Sequence, residues 1–266
     1  EQAKKMTPGI FTDFETRRPS IQDVPHFSYK RDDTLIASQE NVELLNYTPE
    51  ASKCVARAAL IESLGLPTSQ IESIISDEKE CAKIIKEVIN AKRQRPLEAV
   101  TFTFRINNVS LSCITHFARH RIQSIEIPEL TKTDRMSFII PPVLRDKPEL
   151  LEKYKNAFKK TAEEYTRLKN LGVAEELLVY YQLSGNTLDI VTTMNARQLL
   201  LFLRLRSCTR AQWEIQEYAV DALKKLRGVE PAIFNFYGPS CFVNACPEGR
   251  MTCGRAGEIK EKFSDL

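Results

Sequence analysis

The sequence predicts a helix-rich α+β domain, and three observations carry that reading. Val100-Thr101-Phe102-Thr103-Phe104-Arg105-Ile106 alternates apolar and polar side chains, the period of a half-buried strand. Residues 148–168 form a charged stretch with Leu151, Tyr154, Phe158 and Tyr165 along one side, the period of an amphipathic helix. Strand-like and helix-like segments are interspersed without an internal repeat, which favours one mixed domain.

In chain order, residues 1–40 are polar and proline-containing and read as an N-terminal extension. Residues 42–47 read as a strand. Thr48-Pro49-Glu50 reads as a helix start, with Thr48 as N-cap and Pro49 in the first turn. That helix carries Cys54, Val55, Ala58, Leu60 and Ile61, and Gly65 ends it. Helices are expected at 70–75 and 77–91. After the strand at 100–106, a helix is expected from Ser110 to about His120. Residues 122–147 hold scattered prolines and no period, so they read as a long loop of the functional kind. Beyond the amphipathic helix come a helix at 174–182 and a strand at 188–194. Asn195 caps a helix running through Arg206. The helix expected at 209–226 places Ala211, Ile215, Ala219, Ala222 and Leu226 at helical spacing, with Gly228 as its stop. The division is thus an extension (1–40), one main domain (41–235) and a cysteine-rich tail (236–266).

The 266 residues are 42% hydrophobic and 27% charged, enough apolar material for a core without staples. A net charge of +3 gives no case for nucleic acid. The longest apolar block, 199–203, is little more than a helical turn, far short of a membrane span. The first twenty residues lack the apolar core of a signal peptide. We read a cytoplasmic protein without a membrane partner. Of seven cysteines, Cys208, Cys241, Cys246 and Cys253 lie in the last quarter. In a cytoplasmic chain such clustering points to thiols or metal rather than disulfides.

Three clusters carry chemistry. Arg119-His120-Arg121 places two guanidinium forks, suited to phosphate oxygens, around an imidazole. The alternative is a solvated basic helix end. Arg197, Arg204, Arg206 and Arg210 are interleaved with leucines, so some must meet a ligand or pair with Glu214 or Glu217. Arg197 and Arg204 share one helical face; Arg206 and Arg210 share another if the helix continues. Cys241-x4-Cys246-x6-Cys253 lies among glycines and prolines, with Cys208 as a fourth ligand candidate for tetrahedral zinc. An iron–sulfur cluster and plain reduced thiols are the other readings of those cysteines.

At these residues the chain resembles the flavin-dependent thymidylate synthase family. Arg119-His120-Arg121 matches that family's signature triplet, and residues 97–106 resemble the strand before it. Asn195-Ala196-Arg197, residues 203–206 and Ala211-Gln212-Trp213-Glu214-Ile215 follow the family's order and spacing. The resemblance spans roughly residues 42 to 235. It implies a homotetramer with FAD bound between subunits. It also implies flavin contacts from Arg119, His120, Arg121, Asn195 and Arg197. Arg206 and Glu129 then stand on the substrate side of the catalytic site, Arg206 as a retained nucleotide-binding arginine. The implied reaction moves one carbon from methylenetetrahydrofolate to C5 of dUMP, with a hydride from reduced FAD and NADPH reloading the flavin. The partners so implied are nucleotide and folate.

The chain departs from the family pattern on the nucleotide side. Glu129 stands where the family has its signature serine, and Thr131 and Lys132 where it has arginine and tyrosine. Val179 replaces a second arginine, Ala99 a histidine and Leu201 an asparagine. A carboxylate in place of those groups repels a phosphate, with Lys132 or Arg135 as compensating charges. Two alternatives follow: a flavoenzyme of this fold with an acceptor other than dUMP, and a non-catalytic nucleic-acid or metal-binding protein.

Overall fold

A computed structural model describes residues 41–128 and 137–266. The order is β1 (Val42–Tyr47), α1 (Ala51–Leu64), α2 (Thr68–Ile75), α3 (Glu78–Asn90), a 3-10 turn (Arg95–Ala99), β2 (Thr101–Ser110), α4 (Leu111–Phe117) and β3 (Ser124–Glu126). Then come α5 (Pro142–Arg145), α6 (Pro148–Asn170), α7 (Glu175–Leu178), a 3-10 turn (Val179–Tyr181), β4 (Thr187–Asn195), α8 (Ala196–Arg206) and α9 (Trp213–Val229). Short helices α10 (Pro231–Phe234) and α11 (Ser240–Val243) and the longer α12 (Ala256–Ser264) complete it. The expected α+β class is the observed one.

The strands form one antiparallel sheet in the order β1-β2-β4-β3. The alternation read in β2 is real: Phe102, Phe104 and Ile106 are buried, with Ile190 and Met194 of the neighbouring β4. Burying such side chains contributes about 1.5–3 kcal/mol each. Residues of α1, α3, α8 and α9 cover the same core, and Tyr237, Cys241, Ile259 and Phe263 join it from the C-terminal segment. Arg227 ties that segment down, donating to the carbonyls of Phe263 at 2.7 Å and Tyr237 at 3.0 Å.

Several expectations are corrected. Thr48 does not cap α1. Its Oγ1 accepts from the Thr101 backbone N–H at 3.0 Å and serves the sheet instead. The cap comes from Glu230, whose carboxylate accepts from Ala51 N at 2.8 Å and Ser52 N at 3.2 Å. The helix expected from Ser110 to about His120 starts as expected and stops early, at Phe117; before it, β2 runs to Ser110 through a bulge at Asn107–Asn108. Asn108 has φ 57, a conformation asparagine tolerates better than most residues. Ser110 then caps α4, its Oγ accepting from Cys113 N at 3.0 Å.

The segment expected to be loop at 122–147 contains β3, an isolated bridge between Phe138 and Asn186, and α5. Its residues 129–136, with Glu129, Thr131, Lys132 and Arg135, lie outside the described residues, as does the extension over 1–40. The helix expected at 174–182 is one turn of α7 followed by a 3-10 turn. The last long helix begins later, at Trp213, where Gln212 Oε1 accepts from Ile215 N at 3.0 Å. It also runs through Gly228 to Val229. One glycine costs only about 1 kcal/mol in a helix, less than the burial of Leu226 in the preceding turn secures. Among the described residues, no helix is long and apolar enough to cross a membrane.

Candidate active site

The site is built where β4 turns into α8 against the end of α4. Asn195 ends β4 and caps α8, its side-chain oxygen accepting from Gln198 N at 2.8 Å. That use of the oxygen leaves the amide nitrogen as the donor available to the adjoining cavity. The cavity measures about 290 Å³ and is lined by Asn195, Arg197, Gln198, Arg204, Ile122 and Leu201, among others. Arg197 and Arg204 therefore share a face as their spacing requires. Arg197 also pairs with Glu98 on the preceding 3-10 turn. Both partners are about half exposed, so the pair adds little stability.

His120 follows α4 and is buried, with its ring edge-on to Phe202 at 5.1 Å. Arg206, on the last turn of α8, donates from Nε to His120 Nε2 at 2.9 Å. A guanidinium only donates, so Nε2 carries a lone pair and the ring proton sits on Nδ1. The Gln198 side-chain nitrogen is placed 3.0 Å from Nδ1; with the ring proton on Nδ1, the amide is turned over so that its oxygen accepts. Burial, then the positive charge of Arg206, pushes the His120 pKa down to about 4. The imidazole is thus neutral near pH 7. It is also fully hydrogen-bonded, which makes it an orienting group rather than a proton donor.

Arg206 reaches the His116 carbonyl at 3.4 Å and has no carboxylate partner among the described residues. Burial, then repulsion from Arg119, lowers its pKa. Such a guanidinium lacks the counter-charge that an anionic ligand supplies. Arg119 and Arg121 are exposed and make no ion pair among the described residues. The chain after them is strapped to the sheet by Gln123, which donates to the Phe117 carbonyl at 2.6 Å and accepts from Thr192 Oγ1 at 2.9 Å.

Neither glutamate expected as an arginine partner serves as one. Glu214 is buried and accepts from Ser110 N at 2.7 Å and Ser110 Oγ at 2.6 Å. The pKa of Glu217 is raised, chiefly by burial. The helix does not continue past Arg206, so Arg206 and Arg210 do not share a helical face. They meet instead at a second cavity, beyond the C-terminal end of α8. There Arg204, Arg206 and Arg210 stand with Cys208, Cys241, Cys246 and Cys253 around about 250 Å³. The structure therefore gathers all four candidate cysteines. Burial, then repulsion from Cys208, pushes the Cys241 thiol up. Among the described residues, however, no three His, Cys, Asp or Glu side chains are grouped so as to hold one metal ion. The single-zinc expectation is corrected accordingly: these thiols ring a cavity rather than converge on a point.

Sequence reasoning missed Gln198, which joins Asn195 to His120. A signal was present, since Asn195-x-x-Gln198 is the spacing of a helix cap with an amide at its third position.

Comparison with known proteins fits this arrangement. The sequence model described as thymidylate synthase complementing protein matches residues 43–232. A flavin-dependent thymidylate synthase of Geobacter sulfurreducens is 31% identical over 229 residues, covering 85% of this chain and 98% of the relative. That of Clostridium tetani is 35% identical over 241 residues, covering 84% and 96%. A solved UMP/dUMP methylase, PolB from Streptomyces cacaoi bound with 5-Br dUMP, has the same fold, with TM-score 0.64 at 20% identity over 73% of this chain and 92% of its own. Fold and matched sequence together define a methyltransferase-type enzyme. The chain belongs to the flavin-dependent thymidylate synthase family.

Proposed function

We propose that this enzyme methylates dUMP, or the closely related UMP, at C5 of the pyrimidine. Methylenetetrahydrofolate gives the carbon and NAD(P)H the reducing equivalents. The observation that carries the reading is the Asn195–Gln198–His120–Arg206 relay. It fixes Arg206, which has no carboxylate partner among the described residues and which the resemblance assigns to the nucleotide. FAD, when bound, supplies the hydride that turns the transferred methylene into a methyl group as the C5 proton leaves.

The residues present suit that cofactor. Asn195, Arg197 and Arg204 offer donors on one cavity wall, and Ile122, Leu200 and Leu201 offer apolar contact. Arg119 and Arg121, exposed and without an ion pair among the described residues, add positive charge for phosphates. Ile122 is exposed at the rim. An apolar rim on a cavity smaller than FAD supports a site completed by a second copy of the chain, in a homotetramer. Residues of this chain then bind and orient, while the flavin carries the redox chemistry. His120 holds Arg206 at a fixed angle, and Arg206 neutralises the nucleotide phosphate.

A specific observation favours widening the acceptor beyond dUMP. Val179, in the family's place for a second nucleotide arginine, is uncharged and only partly buried. Turnover with carbon-labelled methylenetetrahydrofolate, FAD and NADPH, offering dUMP and UMP separately, tests the proposal. Label is expected in the C5 methyl group of at least one nucleotide product. Protein that binds flavin and labels neither nucleotide would overturn it.

A further inference from the structure

Methyl transfer as proposed uses Arg204 and Arg206 on the wall of the second cavity but none of its cysteines. Cys208 leaves α8, Cys241 lies in α11, Cys246 follows it, and Cys253 comes after the 3-10 turn at Gly249–Met251. The turn after α8 and the 241–253 segment thus bring four cysteines to one cavity of about 250 Å³. The other three cysteines, Cys54, Cys81 and Cys113, lie in α1, α3 and α4. None of the seven forms a disulfide.

The surroundings differ from those of ordinary core cysteines. Arg204, Arg206 and Arg210 line the same cavity, and its single carboxylate, Glu248, lies 3.5 Å from Arg210. The backbone that carries the ring is shaped to turn around it. Gly249 has φ 51 and Gly254, immediately after Cys253, has φ 73, conformations that side chains disfavour. Arg210 pins this turn by donating to the Met251 carbonyl at 2.6 Å.

What the ring can hold follows from how its cysteines are grouped. Tetrahedral zinc draws four sulfurs to about 2.3 Å from one point, and these sulfurs are not grouped in that way. A cluster of several irons accepts four thiolates at separate metal atoms and so leaves the sulfurs apart. Four thiolates on a dicationic four-iron, four-sulfide core carry two net negative charges. Arg210, with Arg204 on the same wall, stands where it offsets part of that charge. We propose that Cys208, Cys241, Cys246 and Cys253 ligate an iron–sulfur cluster in the cavity beyond the C-terminal end of α8.

The proposal does not depend on which nucleotide is methylated. It is tested on full-length protein purified without oxygen and, separately, reconstituted anaerobically with ferrous iron and sulfide. Iron, zinc and acid-labile sulfide are counted, and Mössbauer spectra are recorded. About four irons and four sulfides per chain are expected. Cys246→Ser with Cys253→Ser should lose most of the iron and keep its circular dichroism and flavin content. Cys54→Ser should keep its iron. Stoichiometric zinc without sulfide, no iron in either preparation, or full iron retention in the double variant would each overturn the proposal.

Discussion

His120 and Arg206 set the chemistry at the residue scale. The imidazole is 5% exposed and its pKa is lowered from 6.5 to about 4, by burial first and by Arg206 second. Between those two values the unfolded chain binds a proton that the folded chain refuses. Stability therefore falls as pH drops from 6.5 towards 4 and flattens below, by about 3 kcal/mol at most. In urea unfolding at pH 7 and pH 4.5, the loss should be smaller for His120→Gln than for the parent. Equal losses in both proteins would contradict the account. The triplet Arg119-His120-Arg121 was legible as a candidate site through its match to the family's signature; by itself it also reads as a solvated basic helix end. What the triplet does was not legible. The arginine that fixes the imidazole lies 86 positions away, and only the fold brings it within 2.9 Å.

Elements were legible wherever their period was local. The alternation of β2 and the amphipathic spacing of α6 were sufficient, and Asn195 caps α8 as its residue type requires. Boundaries failed where a distant group decided them. Thr48 has the right chemistry to cap α1, but Glu230 does so from 179 positions away. The helix expected to reach about His120 stops at Phe117, whose carbonyl accepts from Gln123 Nε2 at 2.6 Å. Glu230 is buried and charged, so its cap resembles a strong charge-assisted one. Glu230→Gln keeps the shape but offers one acceptor oxygen in place of two. Chemical denaturation should show a loss of about 1–2 kcal/mol. A loss within error of zero would mean that α1 starts on its own propensity.

At the scale of the whole molecule, two cavities flank α8 and Arg204 lines both. The first is lined by Asn195 and Arg197 of the strand–helix junction and by Ile122, the residue that follows the triplet after α4. The second shows why the C-terminal cysteines carried only an ambiguous signal. Their spacing lacks a paired motif, and Cys208 joins them only through the turn after α8. The acceptor was illegible because Glu129 and its neighbours speak for the nucleotide side, and Val179 removes a charge without naming a replacement.

The central claim, that the relay from Asn195 to Arg206 serves a flavin beside a pyrimidine nucleotide, is tested most directly by one titration. The visible absorption spectrum of the protein loaded with FAD is recorded while dUMP, then UMP, is added. The account predicts bound flavin whose spectrum shifts saturably with at least one nucleotide, and Arg206→Ala should weaken that shift about tenfold or more, as loss of a charged hydrogen bond implies. Protein that fails to retain FAD, or a bound flavin indifferent to both nucleotides, would contradict it.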